Sequence, residues 1–166
     1  MLTAGSMVYY GLNGVCCVMG TVEKNFDGSL SRYYELHPYF RKNEVIFLPE
    51  NNEALLARLR PLISREDIDV ILRDCPQTKC PWPEPEPVRR DAFKTILRSG
   101  DQLEIIRLIR TLYERKTQLT ACGKKLRTSD TAFLKDAERL LNEEFAFVLE
   151  IPPAEVPAYI REHMPE

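Results

Sequence analysis

The sequence predicts an α+β protein: a small curled β-barrel followed by an all-helical domain. Three observations carry this. Short runs rich in Val, Tyr, Ile and Phe recur through the first fifty residues, with turn-forming residues between them. Beyond Leu59-Arg60-Pro61 the apolar residues change to helical spacing. Between the two patterns, five prolines crowd the stretch from Pro76 to Pro87, which excludes a regular helix or a central strand there. The boundaries implied are a barrel over 1–60, a short helix and proline-rich linker over 61–87, and a helical domain over 88–166.

The expected strands are Met7 to Tyr10, Gly14 to Thr21, Tyr33 to Tyr39 and Val45 to Leu48, separated by Gly11-Leu12-Asn13-Gly14, Phe26-Asp27-Gly28-Ser29 and Arg41-Lys42-Asn43. Such clusters favour turns. A sheet of this size must curl, close or pack on something to cover its edges. Pro49 ends the last strand because it has no N–H to give to the ladder.

Ser64-Arg65-Glu66-Asp67 reads as a capping box with Asp in place of Glu, and Ile68, Ile71 and Leu72 follow at helical spacing, so a short helix runs to about Cys75. The linker holds the single tryptophan, Trp82. A helix from Val88 to Arg98 buries Ala92, Phe93, Ile96 and Leu97, then stops at Ser99-Gly100-Asp101, where Gly accepts a left-handed end and Asp101 with Glu104 caps the next start. Leu103, Ile106, Ile109, Leu112 and Tyr113 mark the second helix, ending near Gly123. A third opens at Thr128 or Ser129 and carries Phe133, Ala137, Leu140, Leu141, Phe145 and Val148. Ile151-Pro152-Pro153 breaks it ahead of a last short helix with Val156, Tyr159 and Ile160, and four antiparallel helices are expected.

The net charge is −2, which as an average speaks against nucleic acid. The average conceals a segregation. Between Arg89 and Arg127 eleven Lys or Arg stand against four Asp or Glu, leaving twelve against twenty-one elsewhere, a split that suits a face made for a polyanion. Cys16, Cys17, Cys75, Cys80 and Cys122 form no CxxC pair and meet no histidine cluster, so they read as packing or surface residues and neither a metal nor another cofactor is expected. His37 and His163 suggest no Cys-His or Ser-His arrangement, and pairs such as Asp67 with Asp69 or Glu143 with Glu144 fit caps and solvated faces. Without a glycine-rich phosphate loop either, the chain does not read as an enzyme. No run approaches the roughly 20 apolar residues of a spanning helix, and MLTAGSMVYY has neither a basic leader nor an apolar signal core, so a cytoplasmic protein is expected.

Several landmarks follow in order: Val8-Tyr9-Tyr10-Gly11 with Gly14-Val15, Leu48-Pro49 with Asn51, Arg60-Pro61-Leu62-Ile63-Ser64, Arg89-Arg90, Ser99-Gly100-Asp101, Leu112-Tyr113-Glu114-Arg115-Lys116, and Ala137 to Phe145. Together they resemble the CarD-type family of bacterial RNA polymerase binding proteins, whose N-terminal module also occurs in transcription-repair coupling factors. The resemblance implies a Tudor-like barrel that docks on the polymerase β subunit. It also implies a helical domain that contacts promoter DNA at the upstream edge of the melted bubble and stabilises the open complex, with no small-molecule substrate.

The family's DNA-side hallmark is a tryptophan ahead of the first basic helix, and here Trp82 stands before Arg89 with six residues, Pro83 to Val88, between them. A flat apolar ring can wedge into the minor groove beside an unstacked step, and flanking prolines reduce the entropy lost on ordering. The competing expectation is a linker aromatic folded back on the helices. Arg89, Arg90, Lys94 and Arg98 share one helix and Lys124, Lys125 and Arg127 crowd the turn after Gly123. Phosphate contact is the expected role of Arg89, Arg90, Lys94, Lys124, Lys125 and Arg127. Arg107, Arg110, Arg115 and Lys116 are expected to divide between DNA and intramolecular pairs. No run of base-reading side chains is present, so DNA shape should matter more than sequence. By resemblance the polymerase contact lies on Glu44, Val45, Ile46 and Phe47, a strand able to add edgewise to a partner. Some relatives carry an arginine where this chain has Phe47, which points to a more apolar contact or to another residue, such as Arg32, Arg41 or Lys42, supplying the charge. An adaptor holding a protein on each domain is the alternative to the DNA-binding reading.

Overall fold

The computed structural model describes residues 2–77 and 80–165. The chain divides into two compact units, Met1–Leu62 and Ile63–Glu166. The first is a five-stranded antiparallel sheet of order β4-β3-β2-β1-β5, and the second is helical, so the α+β expectation holds.

The strands are β1 (Met7–Tyr10), β2 (Gly14–Asn25), β3 (Leu30–Pro38), β4 (Ile46–Pro49) and β5 (Leu59–Pro61). β2 and β3 run further toward their shared turn than the apolar runs suggest. Glu23 pairs with Arg32 and Lys24 with Ser31, polar residues that leave no apolar signature. The turn closes on itself: the Gly28 N–H donates to Asn25 Oδ1 at 2.9 Å and the Ser29 hydroxyl to Asp27 Oδ1 at 3.1 Å. β5 pairs Val8 with Pro61 and Tyr10 with Leu59, which places it at one edge of the ladder and β4 at the other. Alternate residues of one face, Val8, Tyr10, Cys16, Val18, Tyr34, Leu36 and Leu48, meet in one core, and Leu55 and Leu56 of a one-turn helix α1 (Glu53–Leu56) pack against it. Period-2 alternation thus commits one face to the core.

The helical unit starts ahead of the expected linker. α2 (Arg65–Asp74) opens with the capping box: the Ser64 N–H donates to Asp67 Oδ2 at 2.9 Å and the Asp67 N–H to Ser64 Oγ at 3.0 Å. α3 (Glu86–Ser99), α4 (Gln102–Ala121), α5 (Thr128–Leu149) and α6 (Val156–His163) follow. α2 packs on α4, α5 and α6, so Ile68, Ile71 and Leu72 join the helical core. Two side chains from α4 close its C-terminal end, Arg107 donating to the carbonyl of Asp74 and Arg110 to that of Cys75. These arginines therefore serve the fold. Thr78 and Lys79, within the proline-rich stretch, lie outside the described residues. Pro87 sits in the first turn of α3, where its missing N–H costs nothing.

Gly100 ends α3 at φ 69°, and Asp101 Oδ1 then accepts from the N–H groups of Leu103 and Glu104. The two helices are separated by one tight, sequence-encoded corner. Glu143 and Glu144 are a correction to the solvated faces expected of them. Both are buried. Glu144 accepts from the Ile63 N–H at 3.0 Å and from Gln102 Nε2 at 2.8 Å, tying the lead of α2 and the start of α4 to α5.

Candidate nucleic-acid interface

The segment Cys80–Pro85 has no helix or strand ladder, and its prolines lack an N–H, so side chains must hold Trp82. They come from two helices and from the segment itself. Phe93 of α3 meets the indole edge-to-face with centroids 5.8 Å apart. The guanidinium of Arg89, also on α3, lies 4.7 Å from the ring centre and that of Arg115, on α4, lies 5.3 Å from it. The indole Nε1–H donates to Glu84 Oε1 at 3.2 Å. Trp82 remains half-buried and borders a groove of about 180 Å³ lined by Thr111, Glu114, Arg115 and Gln118. The ring is folded onto the helices, and part of it stays open.

Arg89 is placed differently from the phosphate contact expected of it. Its residue exposure is 2%. Nε donates to Asp130 Oδ1 and Nη2 to Asp130 Oδ2, both at 3.0 Å, while Nη1 donates to Glu84 Oε2 at 3.1 Å. The hydrogen bonds to Asp130 push its pKa up despite burial. A guanidinium so paired has no face left for a phosphate. The physical reason lies outside the helix: Asp130, in the first turn of α5, stands opposite Arg89 across the bundle.

Arg90 and Lys94 remain exposed one turn apart on α3, hence on one side. Lys124, Lys125 and Arg127 are exposed in the turn between α4 and α5. Glu86 brings that turn to the start of α3, its carboxylate accepting from Arg127 Nη1 at 2.7 Å and from the Ser129 hydroxyl at 2.8 Å. The Ser129 hydrogen bond, with Arg127 and Arg90 nearby, holds the Glu86 carboxyl below the usual carboxylate range. The start of α3 and the α4–α5 turn thus form one basic end.

Sequence reasoning missed Glu84 and Asp130, and did not place Arg115 against Trp82. Asp130 had a signal only as an acidic residue in a helix's first turn, and Arg115 only as one of several cations.

In the sheet unit, Glu44 and Val45 precede β4 and are exposed, Glu44 pairing with Arg41 at 3.1 Å. The strand begins at Ile46, whose side chain packs on the sheet core. Phe47 points to the other face, 5.7 Å from Phe26 and 5.3 Å from the Lys24 ammonium. Phe26 in turn meets Tyr33 at 5.2 Å.

Among the described residues no group of three or more His, Cys, Asp or Glu could hold a metal ion, and no helix is long and apolar enough to cross a membrane. All five cysteines are free thiols.

Residues 80–161, which take in Trp82 and α3 to α5, match the model of the CarD C-terminal domain, and the class this defines is that of CarD-like, transcription-related proteins. The chain belongs to the CarD-type family. No curated protein matches it.

Proposed function

We propose that this protein regulates transcription by binding the RNA polymerase β subunit through its sheet unit and promoter DNA through its helical unit, stabilising the open complex at the upstream edge of the bubble. The observation that carries the reading is Trp82: a part-open indole held beside a basic helical end, in the segment where the family domain begins. Arg90, Lys94, Lys124, Lys125 and Arg127 would take phosphates, adding affinity by counterion release without demanding sequence. The ring would enter the minor groove against an unstacked step, a few kcal/mol of unstacking being repaid by contact. On the other unit, β4 has a free edge able to add to a partner strand, and the aromatic cluster of Phe47, Phe26 and Tyr33 lies on the outward face beside it. Such a protein would work in the cytoplasm, at the nucleoid.

The test is open-complex lifetime on a ribosomal-type promoter with bacterial RNA polymerase, with and without this protein and its Trp82→Ala variant. A longer lifetime that the variant loses supports the reading. No effect from the intact protein, despite confirmed polymerase binding, would turn it toward a protein-only adaptor.

A further inference from the structure

We propose that Arg89 is a positioning residue for Trp82: the buried Arg89–Asp130 pair presents one guanidinium as a fixed cationic support that sets where the indole stands. This rests on the reading of Trp82 as the DNA-side ring. The backbone of Cys80–Pro85 forms no helix or strand of its own, and the Pro83 carbonyl, next to Trp82, is itself held by Arg89 Nη1 at 3.4 Å. Left to rotate, a linker tryptophan would have to be ordered on every encounter with DNA, which costs affinity.

The guanidinium divides its three nitrogens between two carboxylates. Two are spent on Asp130, locking Arg89 to α5, and the third reaches Glu84 Oε2. The other oxygen of that same Glu84 carboxylate accepts the indole N–H. A closed circuit results, in which Arg89 supports the ring at 4.7 Å and, through Glu84, orients its N–H. Lysine could not do this, since it lacks the planar fork. Because Arg89 and Asp130 come from α3 and α5, and Arg115 at 5.3 Å from α4, the ring position reports the packing of three helices.

Trp82 is the single tryptophan of the chain, so its fluorescence reads the proposal directly, without DNA. The main variant is Arg89→Met combined with Asp130→Leu, because replacing both members of a buried pair by apolar groups of similar size commonly leaves the fold intact. With helical circular dichroism retained, the expected result is emission at longer wavelength and stronger acrylamide quenching. Affinity for a bubble duplex should fall about tenfold, matching the loss in Trp82→Ala, as expected for losing one partly desolvated cation–π support. Unchanged emission and quenching would overturn the positioning role. A spectral change with bubble binding unaffected in both this variant and Trp82→Ala would uphold the positioning and overturn the DNA reading. Glu84→Ala, at an exposed side chain, covers the case in which the double variant unfolds: it should shift the same emission, and an unshifted spectrum there counts against the circuit.

Discussion

Arg89 and Asp130 meet across α3 and α5 through two parallel contacts of 3.0 Å, with side chains only 3% and 2% exposed. Removing one partner of such a pair strands the other charge away from water. Asp130→Ala should therefore destabilise the helical unit by about 3–5 kcal/mol, far more than the paired replacement by apolar residues. Urea unfolding followed by circular dichroism measures it. A loss under about 1 kcal/mol, the ordinary value of an exposed pair, would show that Glu84 and water already satisfy Arg89.

The basic end makes a prediction about salt. Lys124 and Lys125 are exposed, in the turn that Glu86 and Arg127 bring beside α3. If each places its charge on a phosphate, Lys124→Ala with Lys125→Ala should weaken binding to any duplex of the same shape and reduce the slope of log affinity against log salt by about 2. Titrations of a bubble duplex at several salt concentrations decide it. An unchanged slope would remove these two residues from the interface.

Phe47 tests the sheet unit on its own. Its ring packs at a tilt against Phe26 in an outer-face cluster and lies beneath Lys24, so Phe47→Asp should leave the core of Val8, Leu36 and Leu48 untouched while placing a charge where an apolar contact is proposed. Loss of co-purification with the polymerase β subunit, with thermal stability kept within about 1 kcal/mol as for most surface changes, is the expected outcome. Undiminished binding would move the contact elsewhere on the sheet.

Cys80 gives the helical unit a pH dependence at its alkaline limit. Burial pushes its thiol up from 9.0 to about 11, with the Glu104 carboxylate adding to the shift. The native state thus keeps the proton that the unfolded chain releases. Its contribution to stability is complete below pH 9 and is lost as pH rises toward about 11. Unfolding free energies measured from pH 8 to 11 should fall less steeply in Cys80→Ala than in the parent, and parallel curves would show that the thiol is not the cause. The same burial predicts that Cys122, exposed at the end of α4, is alkylated well before Cys80.

Much of this architecture was legible in the residues. Ser64 with Asp67, and Gly100 with Asp101, marked helix ends correctly because caps are made by groups within three or four positions of one another. The turn at 26–29 was legible for the same reason. Strand lengths were less so: β2 and β3 continue through Glu23, Lys24, Ser31 and Arg32, where cross-strand pairing holds residues without apolar alternation. β5 and α1 are too short to leave a period, and exist because the neighbouring strand and core are already there.

What the sequence by itself determined was the order and kind of the main elements, the charge segregation after Arg89, and Trp82 as the residue to examine. The tertiary structure alone decided what the charged and polar side chains do. Arg89 became a buried support and Arg127 a surface link, although both are arginines of the same basic stretch, and Glu144 became an internal anchor where a solvated face was expected. Element type is set mainly by neighbours a few residues away, and periodicity records those neighbours. The partner of a buried charge is set by packing: Asp130 lies 41 residues from Arg89, and Ile63 lies 81 from Glu144. No local pattern carries such a distance, because only the assembled core removes these groups from water and makes their pairing obligatory.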